Sequence, residues 1–125
     1  MREASELFSK VDLALVGIGS ITPSHVLSSS GNVFSPGERS QLTAAGAIGD
    51  ICMRFFDASG KAVKSSLQDR VIGIELDVLK KAERVVGIAG GPSKRSAIRG
   101  ALLGRWINVL ITDRFTAKFL LNDRD

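Results

Sequence analysis

Residues 84–91 read RVVGIAGG, and residues 92–103 continue PSKRSAIRGALL. A short, β-branched apolar run that stops at a glycine pair reads as a strand buried on both faces. Pro92 stands where a helix begins, so Pro92 to Leu103 reads as a helix. Ala97, Ile98, Ala101 and Leu102 form its apolar face. A strand, a glycine turn and a helix in that order is the repeating unit of a parallel α/β sheet.

The same pattern appears on either side. Val11 to Gly19 (VDLALVGIG) is an apolar run ending in glycine, and Ile107 to Thr112 (INVLIT) is a third buried strand. A helix from Asp113 to about Leu121 follows it, and residues 2–9 read as a short leader helix or linker before position 11. Residues 20–35, rich in Ser, Gly, Thr and Pro, read as a long loop. Ser35 as N-cap, Pro36 at the first helical position and Glu38 in the first turn predict a helix to about Ala45. AIGDICMRFFD, residues 47–57, alternates as a strand with Ile51, Met53 and Phe55 on one side and Asp50, Cys52 and Arg54 on the other. Asp57 to Gly60 is a turn, and Lys61 to Val63 returns as the second strand of a hairpin. Val71 to Ile74 reads as a short strand and Leu76 to Ala82 as a short helix. The expected fold class is therefore α/β: a mainly parallel sheet with flanking helices and right-handed connections, plus a short hairpin.

Composition excludes several classes. The 125 residues are 44% hydrophobic and 24% charged, which is the balance of a globular domain rather than a disordered chain. One Cys and one His cannot form a Cys/His zinc site or an internal disulfide, and no cofactor is expected. No apolar run approaches the length of a membrane span, and residues 1–10 carry both charge signs without an apolar core, so the expected compartment is the cytoplasm with no membrane partner. Charge is uneven: residues 1–83 sum to −1 and residues 84–125 to +5. A basic C-terminal third points to an anionic partner or to solvated surface cations. The aromatic residues are not interleaved with the basic ones in sequence, so nucleic acid is the weaker reading.

Ligands of open α/β sheets bind beyond the carboxyl ends of the strands. Those ends here are Gly17-Ile18-Gly19-Ser20, Gly90-Gly91-Pro92-Ser93-Lys94 and Thr112-Asp113. The second is the most informative. Glycines let a ligand approach the backbone, and a helix N-terminus favours an anion. A lysine there opposes the helix dipole by roughly 0.3–1 kcal/mol, and a bound anion reverses that sign. Lys94 is thus a candidate phosphate ligand; the alternative is a solvated lysine. The glycine spacing is that of neither known nucleotide-binding loop. Arg95 and Arg99, one turn apart, either extend the anion site or are solvated.

Asp50 heads an apolar strand, where an acid is costly to bury without partners. It suits hydroxyls of a polar ligand such as a sugar, or pairs with a backbone amide. In one continuous strand Asp50 and Arg54 would lie about 13 Å apart, too far to pair. Asp113 reads first as the N-cap of the last helix, with a ligand role open. His25 and Ser20 have no catalytic partner in sequence, and Cys52 reads as a buried, inert thiol.

Four strings, VDLALVGIGSI, GERSQLTAAGAIGDICMRFFDASGKAV, DRVIGIELDVL and RVVGIAGGPSKRSAIRGALLGRWINVLITDRFTAKFLL, resemble the C-terminal part of the sugar-binding domain of SorC/DeoR-type bacterial transcriptional regulators. The resemblance spans about Val11 to Leu121. It implies a Rossmann-like fold similar to ribose-phosphate isomerase and glucosamine-phosphate deaminase, acting as a sensor without turnover. It implies a phosphorylated sugar or related metabolite as ligand, whose binding changes assembly or DNA affinity. By the same resemblance Asp50 falls on an acid that contacts ligand hydroxyls, and Lys94 on the phosphate-contacting lysine of a GGxxK loop. Gly17, Gly19, Gly90, Gly91, Ser93 and Asp113 complete the expected ligand set. Met53 departs from the family, which often has glycine there. Residues 11–125 are then expected to be the C-terminal portion of an effector domain, with DNA contacted only through a helix-turn-helix absent from this chain. A part-domain exposes a sheet edge and apolar surface, and homo-oligomerisation is one way to cover them. The alternatives are a sugar-phosphate isomerase or deaminase with Asp50 as its base, and an oligomerisation module alone.

Overall fold

The computed structural model describes residues 2–21, 36–64 and 73–122. It contains two sheets. The first is parallel, ordered β1 (Leu13–Gly17), β6 (Arg84–Ile88), β7 (Val109–Ile111). The second is antiparallel, ordered β2 (Gly19–Ser20), β3 (Ala47–Ile51), β4 (Arg54–Asp57), β5 (Ala62–Val63). Five α-helices accompany them: α1 (Arg2–Leu7), α2 (Pro36–Ala44), α3 (Leu76–Leu79), α4 (Arg95–Leu103) and α5 (Arg114–Asn122). The α/β class with a parallel sheet, flanking helices and a hairpin is as expected from the sequence.

The central strand is the one whose sequence was most informative. Val85, Val86 and Gly87 of β6 are buried. Its neighbours correct the expectation of three fully buried strands. β1 and β7 are the edges of a three-stranded sheet, and Leu13, Leu15, Val109 and Ile111 are exposed. In-register partners share a face, so Leu15, Val86 and Val109 form one row and Gly17, Ile88 and Ile111 the next. That face is open; the opposite one, with Val16 and Val85, joins the main core.

Val11–Gly19 is not one strand either. β1 ends at Gly17, Ile18 is buried, and Gly19 and Ser20 pair with β3 in the other sheet. The loop expected over 20–35 thus begins after that pairing, and residues 22–35, with Ser35 and His25, lie outside the described residues.

The largest correction concerns AIGDICMRFFD. The chain reverses at Cys52 and Met53, both at positive φ (54° and 64°), and Ile51 pairs with Arg54. Two consecutive positive-φ residues are the mark of a tight hairpin turn whose twist matches the strands. The alternation therefore breaks at 52. The 13 Å separation of Asp50 and Arg54 does not apply, and Cys52 is exposed rather than buried. Arg54 is buried, its guanidinium donating to the carbonyls of Ile74 (3.3 Å) and Gly73 (3.1 Å). Those two residues are not in a strand, so the strand expected over Val71–Ile74 is absent from its described half.

The second hairpin turn is as read. Asp57 Oδ1 accepts from the Ser59 amide, the Ser59 hydroxyl and the Lys61 amide, and Gly60 sits at φ 91°. Successive residues of β4 face opposite ways. Phe56 enters the core with Ile18, Ile51, Ile98 and Trp106, while Phe55 packs with Leu42, Ala47 and Val63. On α4, Ala97, Ile98 and Ala101 are buried as expected, but Leu102 is exposed and Gly100 takes its place. The segment expected as one helix from Pro92 opens with a 3-10 turn (Pro92–Lys94) before α4.

Candidate functional site

β2 sets the first wall. Gly19 pairs with Asp50 and Ser20 with Gly49. Glycine is needed at 19 because a β-carbon there would occupy the position of Asp50 Oδ1. Gly49 is needed because Ala97 of α4 packs directly against it. Removing both side chains brings β2, β3 and α4 into close contact.

Asp50 stands in this wall, only partly accessible. Its Oδ2 accepts the Met53 amide at 3.1 Å, so the backbone-amide alternative weighed from sequence is realised. Burial raises its carboxyl above the ordinary 3.8, while the Met53 amide and the Lys94 ammonium pull it down. The Lys94 effect is informative: two residues 44 positions apart lie within electrostatic reach, and the 3-10 turn bearing Lys94 approaches β2. Gly19, Ser20, Asp50 and Lys94 are thus brought together. The Cys52 thiol, raised mainly by burial and then by Asp50, stays protonated beside them.

Gly90, Gly91 and Asp113 form a separate cluster. The Gly91 amide donates to Asp113 Oδ2 (3.1 Å) and to Thr116 Oγ1 (3.0 Å). Asp113 also caps α5, its Oδ1 accepting the Thr116 amide at 2.9 Å and its Oδ2 the Thr116 hydroxyl at 2.7 Å. Those donors, led by the Thr116 amide, hold the Asp113 carboxyl below its ordinary value. This corrects one element of the sequence reading: the Gly91 amide is engaged by protein acceptors and is not an anion donor. The Lys94 amide is likewise engaged, by the Gly91 carbonyl at 3.1 Å. The glycines have a structural reason. Gly91 adopts φ 101°, and a β-carbon at Gly90 would strike Asp113 Oδ2. Thr116 was missed from sequence, although an N-cap acid followed three residues later by a polar side chain is a readable signal. Ser93 is exposed. Gly17 pairs with Ile88 on the open sheet face, and a β-carbon at 17 would meet only open space.

A concavity of about 260 Å³ lined by Arg54, Ala62, Lys64, Glu75, Leu76 and Asp77 includes none of these residues and mixes both charge signs. Among the described residues no helix is long and apolar enough to cross a membrane, and no group of three or more His, Cys, Asp or Glu is placed to hold a metal.

An α/β domain with a polar cleft beside its parallel sheet is the class this geometry defines. Residues 1–122 match the family described as "Putative sugar-binding domain", and the chain belongs to it. It is 42% identical over 118 residues to the deoxyribonucleoside regulator of Bacillus subtilis (strain 168), covering 94% of this chain and 37% of that protein. The sorbitol operon regulator of Klebsiella pneumoniae gives the same identity and coverage. The crystal structure of that full-length regulator, SorC, superposes with a TM-score of 0.85 at 38% identity, covering 96% of this chain and 39% of the regulator. The chain thus spans about two fifths of the length of these relatives. The relationship to SorC/DeoR-type regulators read from the sequence is correct.

Proposed function

We propose that this chain is the effector-sensing part of a transcriptional regulator and that its ligand is a phosphorylated sugar. The observation that carries this reading is the approach of the Lys94 ammonium to the part-buried Asp50 carboxyl across the β2–β3 wall. A carboxylate accepts from sugar hydroxyls, and an ammonium at the head of α4 holds a phosphate. With the Gly91 amide engaged, Lys94 and the exposed Ser93 are the groups left to meet the phosphate. Gly19, having no side chain, leaves room for the Asp50 carboxylate. Gly90, Gly91 and Asp113 hold the loop in place rather than touch ligand.

Binding, not turnover, is the assigned role. A general base needs a partner positioned for proton transfer, and the groups acting on Asp50 are an amide and an ammonium. The deoxyribonucleoside and sorbitol operon regulators among the relatives support a sugar-type ligand. In this reading residues 11–125 form the C-terminal portion of the effector domain, working in the cytoplasm. Binding shifts a population of assembled, DNA-competent states by its differential affinity for them.

The test is a thermal-shift series on the chain with ribose 5-phosphate, deoxyribose 5-phosphate, sorbitol 6-phosphate and the unphosphorylated sugars. A sugar phosphate raises the melting temperature and its free sugar does not. Lys94→Ala abolishes that difference, and Asp50→Ala abolishes discrimination among the sugars. A flat series, or a Lys94→Ala protein that responds like wild type, overturns the reading. Turnover of ribose 5-phosphate replaces it with the enzyme alternative.

A further inference from the structure

The last two helices carry Arg95, Arg99, Arg114 and Lys118 and no acidic residue. They pack against one another. Three of these cations lie over aromatic rings. The guanidinium carbons of Arg95 and Arg99 are 4.4 and 5.6 Å from the centroid of the same Phe119 ring, and that of Arg114 is 4.9 Å from Phe115. In sequence Phe119 is 20 or more positions from Arg95 and Arg99, so this interleaving becomes visible only once α4 meets α5.

A guanidinium lying on a ring uses its face for the ring and turns its N–H edge outward, the geometry that forks phosphate oxygens. Two guanidiniums one turn apart on one ring repel each other, and a polyanion laid across them turns that repulsion into attraction. The neighbouring acid, Asp113, has its carboxylate engaged by Thr116 and Gly91. Residues 84–125 as a whole carry +5.

We propose that the α4–α5 surface is an electrostatic docking face for the phosphate backbone of duplex DNA. Duplex fits better than an acidic polypeptide on two grounds. Stacked arginine forks match phosphate, and the chain's relatives are transcriptional regulators, which work beside DNA. The face offers charge and no base-reading groups, so the contact is independent of sequence and steepens with falling salt. It stands apart from the sugar-phosphate reading, which uses Asp50 and Lys94.

The test titrates the 125-residue chain into a fluorescein-labelled duplex of about 30 base pairs and arbitrary sequence, followed by anisotropy between about 50 and about 200 mM salt. The wild-type chain binds with a log–log salt slope near −0.9 per phosphate neutralised, and R114E/K118E flattens that slope by about 2 and weakens binding at least ~10-fold at low salt. Both residues are exposed. R114Q/K118Q, which keeps the helix without reversing charge, falls between. The proposal is overturned by absence of binding at low salt, by a slope unchanged in both variants, or by a polyglutamate peptide that binds more tightly than the duplex. That last result assigns the face to an acidic polypeptide.

Discussion

Gly19 and Asp50 are partners across β2 and β3, and the carboxylate of one fills the space where the other has no side chain. Any β-carbon at 19 displaces Asp50. Gly19→Ala is expected to lower stability by about 1–3 kcal/mol, the range of overpacked positions, and to remove discrimination among sugars. Urea denaturation reads the first effect and the thermal-shift series the second. A Gly19→Ala chain that unfolds at the wild-type midpoint refutes the packing account.

Asp50 makes stability depend on pH in an unusual direction. Its folded value is raised above the ordinary 3.8, chiefly by burial. The native state then holds the proton more tightly than the unfolded chain, so stability falls as pH rises through the window between the two values. The cost is absent below 3.8 and complete above the folded value. Asp50→Asn keeps an acceptor for the Met53 amide and removes the ionisation. It is expected to be more stable than wild type at neutral pH, with the gap closing as pH falls below the ordinary carboxylate value. Asp113, lowered by the Thr116 amide, has the opposite sign: its stabilisation is present above 3.8 and is lost on acidification. An Asp50→Asn chain less stable than wild type at neutral pH is the contrary result.

Cys52 and Met53 hold positive φ with full side chains. Left-handed backbone costs a non-glycine residue about 1–2 kcal/mol, and glycine gives back part of that as chain entropy. Met53→Gly is expected to stabilise the chain by roughly 0.5–1 kcal/mol. Met53 is exposed, so little packing is lost. A lower melting temperature for Met53→Gly contradicts the turn geometry.

Trp106 joins the end of α4 to the second hairpin. Its buried Nε1–H donates to the Gly60 carbonyl at 2.6 Å, and the Lys80 ammonium lies 4.5 Å over its ring while donating to the Gly104 carbonyl. Trp106→Phe keeps an aromatic ring and leaves the Gly60 carbonyl unpaired, an expected loss of about 1–3 kcal/mol. Denaturation monitored by circular dichroism, which does not depend on the lost tryptophan, measures it. Wild-type stability in Trp106→Phe denies the hydrogen bond its role.

The strand–turn–helix order was legible because β6 obeys its sequence rule completely. The edges were not, since an apolar β-branched run reads the same whether neighbouring strands and helices cover it or not. Leu13 and Leu15 are exposed for that reason. The reversal at Cys52-Met53 was hidden because the turn lacks the Asn-Gly or Asp-Gly pair that announces one. Of the site, Asp50 and Lys94 could each be picked out locally, by burial cost and by helix dipole. Their proximity is a tertiary fact that no spacing encodes. Asp113 was readable as a cap, but its grip on the Gly91 amide required knowing that α5 begins against the β6 turn.

Ile18 alone separates a strand of the parallel sheet from a strand of the antiparallel one. The polypeptide therefore passes from the Asp50 wall to an outer edge of the other sheet with no slack between them. A molecule that shifts Gly19 against Asp50 pulls directly on Gly17, and the backbone at that point acts as a lever whose short arm is the pocket and whose long arm is the rim.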